Sequence, residues 1–228
     1  MILEACISTI DGLKAAQKFR LDRVEICKDL HLEGLTPSQE IQSSANSLYN
    51  GIRYVMIRPH NNGFEYNQLE IKKMKKSIET AKENGAHGVV FGVLKNNKID
   101  FKNNEELINV AKDLNLKCTF HKAFDQCQNI EKSLIELSEI GFDWVLSSGR
   151  EKNAELGLNN LRNLASIKNK KIKILAGGAI SEKNCTKFLD IGLDGIHFSI
   201  DKNKKVDENK ISSILKNLEL KNSYFVKK

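Results

Sequence analysis

A chain of 228 residues with 40% hydrophobic content can bury one large core, and its two prolines mark no linker, so one continuous domain over residues 1–228 is expected. The formal net charge of +7 sits largely in lysine-rich turns at 168–171 and 202–205. With only 7% aromatic residues, this reads as a solvated surface and not as a nucleic-acid face. Five scattered cysteines without a C-x-x-C spacing argue against a disulfide framework or zinc finger and for reduced thiols in a cytosol. No apolar stretch approaches membrane-spanning length, and the first residues carry no secretory pattern, so no membrane partner is expected.

Ile2 to Cys6 reads as a first strand, and Ile10, Leu13, Ala16 and Phe19 recur behind it at helical spacing. Arg23 to Cys27 is a second strand. After a turn at 34–38, Pro37 suits the first turn of a helix capped by Thr36. Tyr54 to Arg58 is a third strand. Asn67 and Glu70 form a capping box ahead of the helix face Ile71, Met74, Ile78 and Ala81, with Gly85 as its C-cap. Val89 to Leu94 is a fourth strand, followed by Leu107, Val110, Ala111 and Leu114 on a helix. A fifth strand, Cys118 to Phe120, runs into His121-Lys122-Ala123-Phe124-Asp125, and Ile130, Leu134 and Leu137 mark the next helix, ended by Gly141. Trp144 to Ser147 is a sixth strand, with Leu158, Leu161 and Leu164 behind it. Ile172 to Ala176 is a seventh, closed by Gly177-Gly178, with Ser181 capping a helix to about Asp190. Gly195 to Ser199 is an eighth, and Ile211, Leu215 and Leu218 mark the last helix. Strands alternating with helices eight times predict a (β/α)8 TIM barrel, with an open doubly wound sheet as the alternative.

An internal echo supports the barrel. Arg20-Leu21-Asp22, Gly85-Ala86-His87, Gly141-Phe142-Asp143 and Gly192-Leu193-Asp194 precede strands two, four, six and eight.

Residues i and i+2 share a strand face. Strand one thus offers Glu4 with Cys6, and strand two Glu25 with Cys27. Strand three ends in Arg58, strand five in His121 and strand eight in His197 and Ser199. Glu4, Glu25, Arg58, His121 and His197 are expected to line one cavity at the C-terminal strand ends. Singly, each is unremarkable: a glutamate can pair with an arginine such as Arg58, and a buried cysteine is usually a small hydrophobe. Their convergence is costly unless they pair or serve a site.

Two chemistries fit. In the first, His121 is a general acid/base with a proton exchangeable near neutrality, and Asp125 is its orienter. Glu4 or Glu25 is then the second carboxylate and Arg58 an anion clamp. Gly177 and Gly178 would add backbone donors near a helix N-terminus, and the ligand would be a small polar or anionic molecule. In the second, Cys6 and Cys27, with His121 as a third candidate, hold Cu(I), a soft ion that prefers thiolates. No nucleotide cofactor is expected.

The stretches Leu3-Glu4-Ala5-Cys6, Asp22-Arg23-Val24-Glu25-Ile26-Cys27, Gly34-Leu35-Thr36-Pro37-Ser38, Met56-Ile57-Arg58-Pro59, Thr119-Phe120-His121-Lys122-Ala123-Phe124-Asp125, Ser148-Gly149 and His197-Phe198-Ser199 together resemble the CutC copper homeostasis family. The resemblance implies a TIM barrel, a cytoplasmic location, self-association into a homo-oligomer, and copper binding. Glu33 departs from it where the family usually has a glycine, and His60 and Lys122 where it usually has arginines. Strand seven ends Ala176-Gly177-Gly178-Ala179, where the family has more glycine.

Overall fold

The computed structural model describes residues 1–168, 170–202 and 205–225. Asn169, Asn203 and Lys204, in the two lysine-rich turns, lie outside the described residues. Eight parallel strands close a barrel: β1 (Ile2–Ile7), β2 (Arg23–Ile26), β3 (Ile52–Met56), β4 (Gly88–Phe91), β5 (Lys117–Phe120), β6 (Trp144–Ser147), β7 (Lys173–Gly177) and β8 (Gly195–Ser199). Each pairs with its sequence neighbour, and β8 returns to β1. The helices are α1 (Ile10–Lys18), α2 (Gln39–Leu48), α3 (Gln68–Glu83), α4 (Phe101–Asp113), α5 (Ile130–Ile140), α6 (Leu158–Ser166) and α7 (Glu208–Phe225). No helix among the described residues is long and apolar enough to cross a membrane.

The pleat divides the core in two. Outward strand residues such as Ala5, Ile7, Val24, Val55 and Val89 pack under the helices with Leu13, Ile71, Ile78 and Leu107. Inward residues form a separate apolar plug of Cys6, Cys27, Tyr54, Met56, Val90, Trp144, Leu146 and Leu175. A filled interior is the normal state of an eight-stranded barrel.

The echoed motif has a physical basis at the N-terminal end of the barrel. Its polar residue accepts the first free N–H of the preceding odd strand: Leu3 to Asp22 at 2.8 Å, Arg53 to His87 at 3.2 Å, Cys118 to Asp143 at 2.9 Å and Ile174 to Asp194 at 2.8 Å. The carbonyl of the same residue accepts from the next odd strand, at Ile52, Lys117, Lys173 and Ile2. Four such residues therefore tie all four odd strands into a ring. Two residues earlier the chain turns left-handed, at φ 51° for Arg20 and 80°, 102° and 80° for Gly85, Gly141 and Gly192. Glycine reaches that region without a Cβ penalty.

Other local expectations fare differently. The Asn67–Glu70 capping box forms, with Asn67 Oδ1 accepting from Leu69 and Glu70 N–H and Glu70 Oε2 accepting from Asn67 N–H. Thr36 does not cap α2, which begins after Ser38; its Oγ1 instead accepts from Arg58 N–H at 2.8 Å. The helix expected from Ser181 to Asp190 is only a 3-10 turn, Cys185–Phe188. Asn184 accounts for this: its side chain accepts from Ser181 N–H and donates to Ala179 O and Glu155, so side-chain bonds compete with a helical ladder. A hairpin, Leu94–Lys95 with Lys98–Ile99, extends the β4–α4 loop, its Asn96 and Asn97 both left-handed at φ 52° and 54° as a tight turn requires.

If the ring matters, Asp143→Ala should lower the unfolding free energy by about 1–3 kcal/mol, because the Cys118 N–H loses its acceptor. Lys117→Ala removes only an exposed partner of the same carboxylate and should cost under about 1 kcal/mol. Urea denaturation of the two variants measures the difference.

Candidate functional site

The register of β1, β2 and β8 fixes the lower layer of the barrel interior. Glu4 stands between Arg23 on β2 and His197 on β8. Its carboxylate is fully buried and both oxygens are engaged: Arg23 Nε donates to Oε2, and His197 Nδ1 meets Oε1 at 2.7 Å. The Arg23 guanidinium lies between the rings of Tyr54 and Trp144, at 4.3 and 4.4 Å from their centres. Gly177, in register with His197, leaves the room the imidazole fills, since a Cβ there would meet Leu146 and His197. Burial opposes charge on Glu4, but Arg23 and His197 outweigh it and hold the carboxyl below its usual range. Burial likewise opposes charge on His197, and Glu25, Cys6 and Glu4 together outweigh it, so the ring titrates well above an ordinary histidine.

One layer nearer the mouth, Cys6 is in register with Glu25. The two thiol sulfurs are 3.6 Å apart, and Glu25 Oε1 lies 3.2 Å from Cys27 Sγ and 3.8 Å from Cys6 Sγ. The groups titrate apart. Cys6 is drawn down to about 6 by a hydrogen bond from Cys27, with burial opposing and His197 assisting. Cys27 is pushed well up by burial and by its neighbours Cys6 and Glu25. Glu25 is raised to about 8, chiefly by burial, which His197 only partly offsets. At neutral pH the layer therefore holds one thiolate, one thiol and a largely protonated carboxyl whose Oε2 has no partner among the described residues.

Above this floor opens a cavity of about 850 Å³ lined by Cys6, Glu25, Arg58, His121 and His197, among others. Glu4 does not line it, being sealed behind its two partners. Arg58 neutralises neither glutamate; Arg23 takes that place on Glu4. Arg58 Nη1 donates instead to Leu32 O and Gly34 O, and its guanidinium lies 4.8 Å from the Phe64 ring. On that turn Glu33 is left-handed at φ 64°, a conformation that favours the glycine the resemblance expects. His121 stands beside Arg58 with its ring against Phe64, and burial plus the Arg58 charge lower it to about 3. It is thus a neutral imidazole, contrary to the expectation of a proton carrier near neutrality.

Asp125 does not orient His121. Its carboxylate accepts from Ser147 Oγ, Ser148 N and Oγ, and Arg150 N at 2.5–3.0 Å, fastening the loop after β6. Gly178 lines the cavity but Gly177 does not, and no α-helix follows either, so the expected helix N-terminus is missing. Arg23 is the residue that sequence reasoning missed. The signal was there: Arg23 precedes Glu25 by two, so it shares that face and falls opposite Glu4.

A profile of the CutC family matches residues 1–202. A CutC family protein of Aliivibrio fischeri is 37% identical over 199 residues, 86% of this chain and 81% of its own length. One from Bacteroides thetaiotaomicron is 37% identical over 207 residues, 90% and 82% of the two chains. The chain belongs to the CutC family. Among solved structures, a CutC protein of Streptococcus agalactiae, described as a candidate copper homeostasis protein, superposes with a TM-score of 0.79 at 29% identity, covering 87% of this chain and 98% of its own. A deoxyribose phosphate aldolase from Aeropyrum pernix, at 14% identity and a TM-score of 0.66, shares the fold alone. Family membership and the closed barrel agree with the expectations from sequence.

The buried carboxyl Glu25 gives a pH test. Its pKa lies near 4.5 when unperturbed and about 8 in the fold, so between those values the folded state binds the extra proton and stability falls as pH rises. Glu25→Gln, which mimics the protonated form, should remove that decline. Its stability relative to wild type should grow from pH 4.5 to 8, as read by thermal melts across that range.

Proposed function

We propose that this CutC family protein is a cytosolic copper-homeostasis protein that takes up Cu(I) at Cys6 and Cys27. The observation that carries this reading is the pair of buried sulfurs 3.6 Å apart, with Cys6 lining an open cavity and Cys27 directly behind it. Two bonds of about 2.3 Å, the zinc–thiolate length, reach across up to about 4.6 Å, so one ion can meet both sulfurs. Soft thiolates select Cu(I). Glu25 lies within 4.8 Å of both as a hard, secondary donor. The other triad of donors, Glu4, Glu25 and His197, is a poorer candidate, since Glu4 and His197 already bind each other and Glu4 binds Arg23. Copper here is cargo. All five cysteines are free thiols, in keeping with a reducing compartment.

The asymmetric pair suggests how the ion is taken. Cys6, ionised above about pH 6, offers a ready thiolate toward the cavity. Cys27 keeps its proton until the metal displaces it. His197, held in its charged form by the acidic groups around it, compensates the negative charge that the first thiolate places in the barrel.

Competition of the protein with a Cu(I) chelator tests the proposal. Cys6→Ser/Cys27→Ser should abolish binding, whereas Cys118→Ser/Cys185→Ser should retain it, because Cys118 packs under the helices and Cys185 in the 3-10 turn. Binding to wild type should release about one proton per ion at neutral pH, from Cys27, and affinity should fall as pH drops below about 6 and Cys6 protonates. Undiminished affinity in the Cys6→Ser/Cys27→Ser protein would falsify the assignment.

A further inference from the structure

A single metal ion leaves most of the cavity unused. Its volume of about 850 Å³ is that of a small-molecule site. The wall formed by the ends of β3 and β5 carries groups that the thiol pair does not employ. Arg58 is 4% exposed, yet among the described residues no carboxylate pairs with it. Its Nη1 holds two backbone carbonyls, while its Nε is buried with no acceptor among the described residues. A buried guanidinium without a counter-anion is costly.

His121 adds a second unmatched donor. Its Nδ1 accepts from Ala123 N–H at 3.3 Å, which places the ring proton on Nε2. That Nε2 is buried and has no acceptor among the described residues. Gly92 lets the ring sit there, since a Cβ at that position would come within 2.8 Å of Nδ1. Phe64 packs on both side chains, 4.8 Å from the guanidinium and 4.9 Å from the imidazole. The Tyr66 hydroxyl, which burial keeps neutral although the Arg58 charge favours its ionised form, stands next to Arg58 without supplying a counter-charge. Lys28 and Lys122 line the same cavity. Two buried donors, one of them charged, on the wall of an open cavity call for an acceptor that is itself anionic.

We propose that the Arg58–His121 wall binds the carboxylate or phosphate group of a small metabolite, at a site separate from the Cys6–Cys27 pair. Arg58 supplies the charge and the planar fork, and the neutral His121 ring donates from Nε2. Phe64 holds both groups in place. The site does not depend on metal binding.

Calorimetric titration of the metal-free protein with inorganic phosphate, and separately with malonate, tests this. Saturable binding of either anion is expected, and the better binder identifies the group recognised. Arg58→Gln should weaken it roughly tenfold or more, and His121→Phe, which keeps the aromatic volume, should weaken it too. Because Arg58 also braces the turn at 32–34, Arg58→Lys serves as a second variant. It keeps the charge without the fork and should bind with intermediate affinity. Cys6→Ser/Cys27→Ser should bind the anion as wild type does, whatever becomes of copper. Failure of both anions to bind wild type would overturn the proposal. So would equal affinity in Arg58→Gln and His121→Phe, or loss of anion binding in the serine variant.

Discussion

The interior of this barrel turns on one carboxylate. Glu4 is fully buried, and a charge in that position persists only with partners on both oxygens. Strand register supplies them, Arg23 from one neighbour and His197 from the other. Arg23 is itself clamped between Tyr54 and Trp144. Because Glu4 engages the guanidinium, Glu25 one layer up meets no arginine and is raised to about 8 chiefly by burial. The cysteine pair then holds its negative charge as the Cys6 thiolate, with His197 as the nearby cation. Glu4 itself disfavours charge on Cys6, and the hydrogen bond from Cys27 together with the His197 cation outweighs it.

The cavity has two unlike sides. The floor, from β1, β2 and β8, is soft and acidic, suited to a thiophilic ion. The wall from β3 and β5 holds two buried donors with no acceptor among the described residues, Arg58 Nε and His121 Nε2, suited to an oxyanion. Loops enforce the separation. Arg58 is turned toward the carbonyls of the 32–34 turn and away from the glutamates, and Asp125 is occupied with the loop after β6.

Much of the fold was legible because barrel strands announce themselves as short apolar runs between helical periodicities. The echo of Asp22, His87, Asp143 and Asp194 was readable as a repeat, and its role as a ring of strand-end acceptors emerges from the backbone. Where side chains compete with backbone, the reading failed: Asn184 replaces a helix with a 3-10 turn, and Thr36 serves Arg58 in place of capping α2. At the site, alternation correctly grouped Glu4, Cys6, Glu25 and Cys27. The same alternation places Arg23 on the Glu25 face, a signal that went unused, and the ordinary imidazole value gave His121 a neutral-range proton that burial beside Arg58 removes. Residue type and spacing do not disclose burial, and burial decides protonation here.

Site-resolved alkylation tests the central claim, that the hydrogen bond from Cys27 and the His197 charge leave Cys6 a thiolate beside a protonated Cys27. Wild-type, metal-free protein would be treated with iodoacetamide across a pH series and the modification of each cysteine followed by mass spectrometry. Cys6 should react with a half-maximal rate near pH 6, with Cys27 unreactive until far higher pH. A Cys6 rate that rises only in the range of an ordinary thiol, about 8.5, would contradict the account.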